Sequence, residues 1–288
     1  MLPFRKIIFP VDFSGRCRAI APFVRQTVEK FDASLILLHA IDPVPLIMGE
    51  GEASAAMLLP DFVEMRSRQE EHLKRFEQEM FPGMKLTRLL EDGEPGRVVR
   101  DAIRHHGADL VMLPSHGHGA FRRFLLGSVT AKILHDVDCA VWTDVHHTES
   151  QPAFPYRHVL CALDPDNEES GAVVRAAEYL AKTYDAQLVL VCVVETPPAT
   201  WEVDYAPYRK AVMDAADEKM RRLRDETGIQ APYEVVEGRP AEEIRRVAIE
   251  RKADLIVTGR GHSQAGLGRV WSQLFPIIRE APCPVLSI

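Results

Sequence analysis

The sequence predicts two tandem α/β domains, each a five-stranded parallel sheet flanked by helices. Two observations predict it. Short apolar runs alternate with amphipathic helical patterns along the chain, as expected when strands are buried on both faces by helices. The pattern also occurs twice. Glu91-Asp-Gly-Glu-Pro-Gly96 matches Val236-Glu-Gly-Arg-Pro-Ala241, and Ala108-Asp-Leu-Val-Met112 matches Ala253-Asp-Leu-Ile-Val257 at the same spacing. Arg5–Asp12 pairs with Arg157–Asp164, and Leu35–His39 with Leu188–Cys192, at a longer spacing. The first copy therefore carries a few extra residues mid-domain. So long a period is a domain duplication and not a solenoid.

In the first copy the apolar runs expected as strands are 7–11, 35–41, 85–91, 108–114 and 139–144. The helical patterns between them run from about 16 to 31, 61 to 80, 95 to 106 and 128 to 135. In the second copy the strands are expected at 158–163, 188–194, 233–237, 254–259 and 284–288. The reading is two Rossmann-like domains, 1–145 and 156–288. The polar segment Asp144–Pro155, with two prolines and no periodicity, is the linker.

Composition fits a soluble globular chain, with 46% hydrophobic and 27% charged residues. A net charge of −7 argues against an electrostatic grip on nucleic acid or anionic membrane. No apolar run approaches about 18 residues, so no membrane span is expected. A strand pattern begins almost at once, without a signal-peptide core. The five cysteines form no C-x-x-C pair. Cys139, Cys161, Cys192 and Cys283 lie in or beside strand-like runs, as small buried hydrophobes in a reducing cytoplasm would.

In a doubly wound sheet, ligands sit beyond the carboxyl ends of the strands, where the strand order reverses. Asp12, His39-Ala40-Ile41 and Pro114 end three first-copy strands and converge on one such edge. After Pro114 comes the loop Pro114-Ser-His-Gly117-His118-Gly-Ala-Phe-Arg-Arg-Phe-Leu-Leu-Gly127-Ser128-Val129. Small residues let backbone approach a ligand, and a serine N-cap leaves helix amides facing it. Strand, small-residue loop and helix start together make a phosphate cradle.

This loop resembles that of the universal stress proteins, whose nucleotide-binding members carry G-x2-G-x9-G-S/T. Pro114 replaces the first glycine. The resemblance extends to Phe4–Ser14, Leu35–Asp42, Asp92–Pro95 and Gly107–Leu110, and spans nearly the whole chain in two copies. It implies an adenine-nucleotide alpha-hydrolase-like fold and ATP, alone or with Mg, as cofactor. It also implies the site residues. Val11 and Asp12 bind the cofactor, Asp12 at the ribose hydroxyls, with Ala40 at the adenine and Pro114, Gly117, His118, Gly127, Ser128 and Val129 around the phosphates. Asp12 also reads as a strand-end turn former, and Arg122 and Arg123 either offset phosphate charge or form a solvated loop face, the second reading being favoured. If Pro114 contributes only its carbonyl, the replacement is harmless; if the family's glycine is needed for its φ or for close approach, affinity falls.

The second copy's loop, Thr258–Gln273, is glycine-rich but lacks Gly-Ser. Pro276 stands where the first copy has a helix, and Trp271 would crowd the phosphates. Pro165-Asp166-Asn167 replaces Phe13-Ser14-Gly15, adding a carboxylate that repels phosphate. The expectation is a degenerate second site, or one for a different, smaller ligand.

No P-loop, G-x-S-x-G or H-E-x-x-H motif occurs, and no catalytic residue is assigned. His116, His118, His146 and His147 lack the converging partners of a metal site. His39 reads as a hydrogen-bonded core histidine. Segment 43–60 reads as a lid, a partner-binding loop or a peripheral helix. The leading expectation is a cytoplasmic regulatory protein of the stress response, holding an adenine nucleotide in its first domain. It would form a homodimer, with packing through the last strands. The alternatives are a nucleotide-free interaction protein or a slow ATP hydrolase.

Overall fold

The computed structural model describes residues 2–42, 55–115, 126–144, 154–195, 206–260 and 269–288. Two compact units divide the chain after Trp142. In the first, β1 (Lys6–Pro10), β2 (Ser34–Ile41), β3 (Leu86–Asp92), β4 (Leu110–Leu113) and β5 (Ala140–Thr143) lie in the order β3-β2-β1-β4-β5. The helices are α1 (Gly15–Phe31), α2 (Ala55–Met80), α3 (Pro95–His106) and α4 (Ser128–Asp136). β1 is central and parallel to both neighbours, with Ile8 opposite Ile36 and Val111. Ile7, Ile8 and Phe9 are fully buried.

The second unit repeats the plan. Its strands are β6 (His158–Leu163), β7 (Gln187–Val194), β8 (Tyr233–Glu237), β9 (Leu255–Thr258) and β10 (Val285–Ser287), in the order β10-β9-β6-β7-β8. Its helices are α5 (Ser170–Tyr184), α6 (Ala206–Thr227), α7 (Pro240–Glu250) and α8 (Arg269–Glu280). Both sheets are doubly wound and Rossmann-like. α8 continues through Pro276, where the sequence suggested a break. The proline removes a helix amide, but Leu274, Ile277 and Ile278 are buried, and burial of that apolar face overrides propensity.

The repeated motifs are structural ties. Asp109 accepts the amides of Arg5 and Lys6 at 2.8 and 3.1 Å. Asp254 accepts those of Arg157 and His158 at 2.6 and 3.0 Å. Each aspartate clamps the start of its unit's central strand. Gly93 and Gly238 occupy φ +141° and +149° and donate to Ile41 O and Val194 O at 2.8 and 3.0 Å. Each thereby ties β2 or β7 to the next helix, whose first residue is proline. A Cβ at Gly93 would lie 2.9 Å from the Arg97 guanidinium. Gly93→Ala is therefore expected to cost about 1–3 kcal/mol, read as a lower urea midpoint at unchanged m-value.

Glu94 caps α3, its carboxylate accepting from Gly96 N and Arg97 N at 2.9 Å each and from Lys132 Nζ at 2.5 Å. Partial burial pushes its pKa up, but Lys132 and the two amides outweigh this and hold it below the usual 4.5. A depressed carboxylate contributes stability that is full above its unfolded pKa and lost as pH falls through the folded value. Glu94→Gln is expected to lower Tm at pH 7, with the gap to wild type closing as the pH drops below about 4. A series of melts across pH measures this.

Candidate functional site

In the first unit, the carboxyl ends of β1 and β4 meet where the strand order reverses, with β2 on the far side of β1. The backbone of Val11 is committed within the protein. Its amide donates to Leu38 O at 2.8 Å, and its carbonyl faces His39 Nδ1 at 2.7 Å. Asp12 Oδ1 accepts the Ser14 amide at 2.9 Å, and the Ser14 hydroxyl accepts Cys17 N at the start of α1. The turn-former reading of Asp12 therefore holds, and the turn orients its carboxylate at the strand end. Ala40 is half-buried near the end of β2.

Between Asp12 and Ser14, Phe13 adopts φ +61°. A left-handed conformation is unusual for a bulky residue and costs on the order of 1–3 kcal/mol. Packing holds it there: its ring centroid is 4.5 Å from His39, 5.8 Å from His72 and 6.0 Å from Phe76. Burial lowers the pKa of His39, with His72 adding to the effect and the Val11 carbonyl and Asp12 opposing it. Because a carbonyl only accepts, Nδ1 is the protonated nitrogen of neutral His39 and donates to Val11. His39 is thus hydrogen-bonded, as the sequence suggested, and is half-buried rather than fully in the core.

At β4, Pro114 and Ser115 are buried. The Pro114 carbonyl accepts the Thr130 hydroxyl at 3.0 Å, and the Ser115 carbonyl accepts the Gly127 amide at 3.0 Å. These bonds fasten α4 to the end of β4. They correct two expectations. The Gly127 amide is already used inside the protein. Gly127 is also the N-cap itself, with Ser128 the first helical residue. Ala131 N donates to Gly127 O at 2.8 Å, so the preceding amides, of Ser128, Val129 and Thr130, have no partner within the helix. Gly117, His118, Arg122 and Arg123 lie outside the described residues, as do 43–54 and the segment 261–268 of the second copy's loop. Nothing is described of the Trp271 side chain.

The sequence reading missed Thr130 and the conformation of Phe13. A second hydroxyl in the first turn, Ser128-Val-Thr130, was the only signal for the former. Among the described residues no group of three His, Cys, Asp or Glu side chains converges for a metal, and no helix is long and apolar enough to cross a membrane.

The model of the universal stress protein family matches residues 3–143 and again 155–288. The chain belongs to the universal stress protein family. Each unit carries one match, in tandem. A universal stress protein of Thermus aquaticus is 35% identical over 144 residues, which are 46% of this chain and 98% of that protein. One of Methanocaldococcus jannaschii is 30% identical, over 46% of this chain and 82% of its own. A universal stress protein structure from Archaeoglobus fulgidus superposes with TM-score 0.69 at 20% identity, covering 98% of this chain and 95% of that one. That likeness shows the shared fold.

Proposed function

We propose that the first domain of this universal stress protein binds an adenine nucleotide, ATP alone or with Mg, as a regulatory state of a cytoplasmic stress-response protein. The observation that carries the reading is the meeting of two unlike ends at the switch point: the oriented carboxylate of Asp12 just past β1, and the first-turn amides of α4 fastened to the end of β4. A carboxylate suits ribose hydroxyls, and amides at a helix start suit phosphate. Ala40 would face the adenine; Pro114, Gly117, His118, Gly127, Ser128 and Val129 would border the phosphates. With the Pro114 carbonyl held by Thr130, proline there keeps the tie that fixes α4. The test is denaturation of freshly purified protein, mass spectrometry of released nucleotide and calorimetric titration with ATP. About one adenine nucleotide per chain supports the reading.

The second reading is a nucleotide-free interaction protein. The Gly127 amide favours it, because a donor expected at phosphate already bonds Ser115. Absence of released nucleotide together with no binding of added ATP and Mg would establish it. A homodimer belongs to the regulatory reading, and light scattering during gel filtration tests it.

A further inference from the structure

Asp12 is flanked on both sides by fixed backbone. Before it, the Val11 amide donates to Leu38 O at 2.8 Å and His39 Nδ1 donates to the Val11 carbonyl at 2.7 Å. After it, at the start of α1, the Ser14 hydroxyl accepts Cys17 N at 3.2 Å and the Ser14 carbonyl accepts Arg18 N at 3.1 Å. In between, Phe13 keeps its left-handed φ of +61°, with its ring 4.5 Å from His39 and 5.8 and 6.0 Å from His72 and Phe76 of α2. We infer that Phe13 is a positioning residue: its ring, seated against His39, holds the Asp12 carboxylate for the ribose hydroxyls and so sets a preference for ribose over a sugar lacking them. The inference rests on the nucleotide reading and assigns the sugar selectivity of that same site.

A bulky residue at positive φ persists only where the surrounding packing over-determines it, and such residues gather at functional sites. The second unit shows what the strain achieves. There Pro165 stands in place of Phe13, with φ fixed at about −65°. Asp166 N still donates to Asp164 Oδ1 at 3.0 Å, as Ser14 N does to Asp12 Oδ1 at 2.9 Å. The aspartate turn therefore forms without a left-handed residue. The compact entry to the helix does not: α1 begins at Gly15, directly beyond its Ser14 cap, whereas α5 begins only at Ser170. The left-handed Phe13 thus sets the capped start of α1 next to Asp12.

The two rings work as a pair. His39 serves both flanks of Asp12, since its Nδ1 pins Val11 and its ring carries Phe13. Cys192 matches His39 in the repeat and Pro165 matches Phe13, so the second unit has neither ring. Phe76, the third ring at Phe13, is fully buried, with the Arg18 guanidinium 5.4 Å from its centroid. Arg18 also pairs with Glu79 of α2, so α1 and α2 are joined beside the ring that Phe13 meets. A carboxylate fixed before the ligand arrives loses less entropy on binding. As an acceptor only, it selects a sugar that carries hydroxyl donors.

The test is calorimetry of the full chain with ATP and with dideoxy-ATP, which lacks both ribose hydroxyls. Wild type is expected to bind ATP about tenfold or more tighter, as one hydrogen bond to a charged group would give. Phe13→Gly accepts the left-handed φ without strain but has no ring. It is expected to lose about tenfold in ATP affinity at unchanged dideoxy-ATP affinity, so that the ratio falls towards one. Phe13→Tyr keeps the ring and should keep the ratio. His39→Asn retains an amide donor for the Val11 carbonyl but removes the ring face, and is expected to lower the ratio about threefold. It serves as the second variant if circular dichroism shows that Phe13→Gly does not fold. A wild-type ratio in folded Phe13→Gly would overturn the inference. So would equal losses for both nucleotides that follow a lower Tm, which would make Phe13 a core residue alone. Either result leaves the nucleotide reading standing, whereas a wild type that binds no ATP overturns that reading and this inference together.

Discussion

Phe9→Ala is expected to destabilise the first unit by about 3–5 kcal/mol, the usual cost of emptying an aromatic site in a packed core. Phe9 is fully buried in the central strand. Its ring lies 6.2 Å from Phe76 on α2 and 6.1 Å from Phe81, which follows that helix. Truncation therefore opens a void between the sheet and α2, and Phe76 also braces the strained Phe13 turn at 6.0 Å. Urea titration gives the size of the effect. Hydrogen exchange, followed peptide by peptide, should locate the loss in β1, β2 and α2. A change below about 1 kcal/mol would mean that neighbouring rings refill the space.

The second large effect concerns the ligand. On the nucleotide reading, Asp12→Ala should weaken ATP binding by about 10–100-fold, since a hydrogen bond to a charged group is worth roughly 1.5–3 kcal/mol. The helix cap at Ser14 remains, because that hydroxyl bonds Cys17 independently of Asp12. The measurement is calorimetry with ATP, beside a melt without ligand. Unchanged affinity with unchanged folding would remove Asp12 from the site. A loss of affinity that merely follows a lower Tm would make it a turn former alone.

Much of the fold was legible in local pattern. The helix at Pro95–His106 and the strands at His158–Leu163 and Tyr233–Glu237 have the bounds the sequence suggests. Proline at the first helical position, glycine beyond the last and unbroken apolar runs are local signals. The α8 helix was less legible, because burial of its apolar face outweighs the rule that proline breaks a helix. The meaning of the repeats was only half visible. Ala-Asp-Leu can be matched by eye in both copies, but the clamp from Asp109 onto Arg5 and Lys6 joins residues far apart in sequence.

The sequence by itself determined the duplication, the alternation of strands and helices, and the family, because periodicity and motif spacing belong to the chain. It also brought Asp12, Ala40 and Pro114 to one edge, since each lies at or just past the carboxyl end of a strand in a parallel sheet. Only the tertiary structure decided how the ends of the loop are used. The Gly127 amide reaches Ser115 and the Thr130 hydroxyl reaches Pro114, and which donor meets which acceptor depends on how α4 docks against β4. It also decided that the second unit has a cavity. The sequence registered a missing Gly-Ser and an added carboxylate, whereas the open space arises from β6, β7, α5, α7 and α8 packing together, and no single segment encodes the volume left between them.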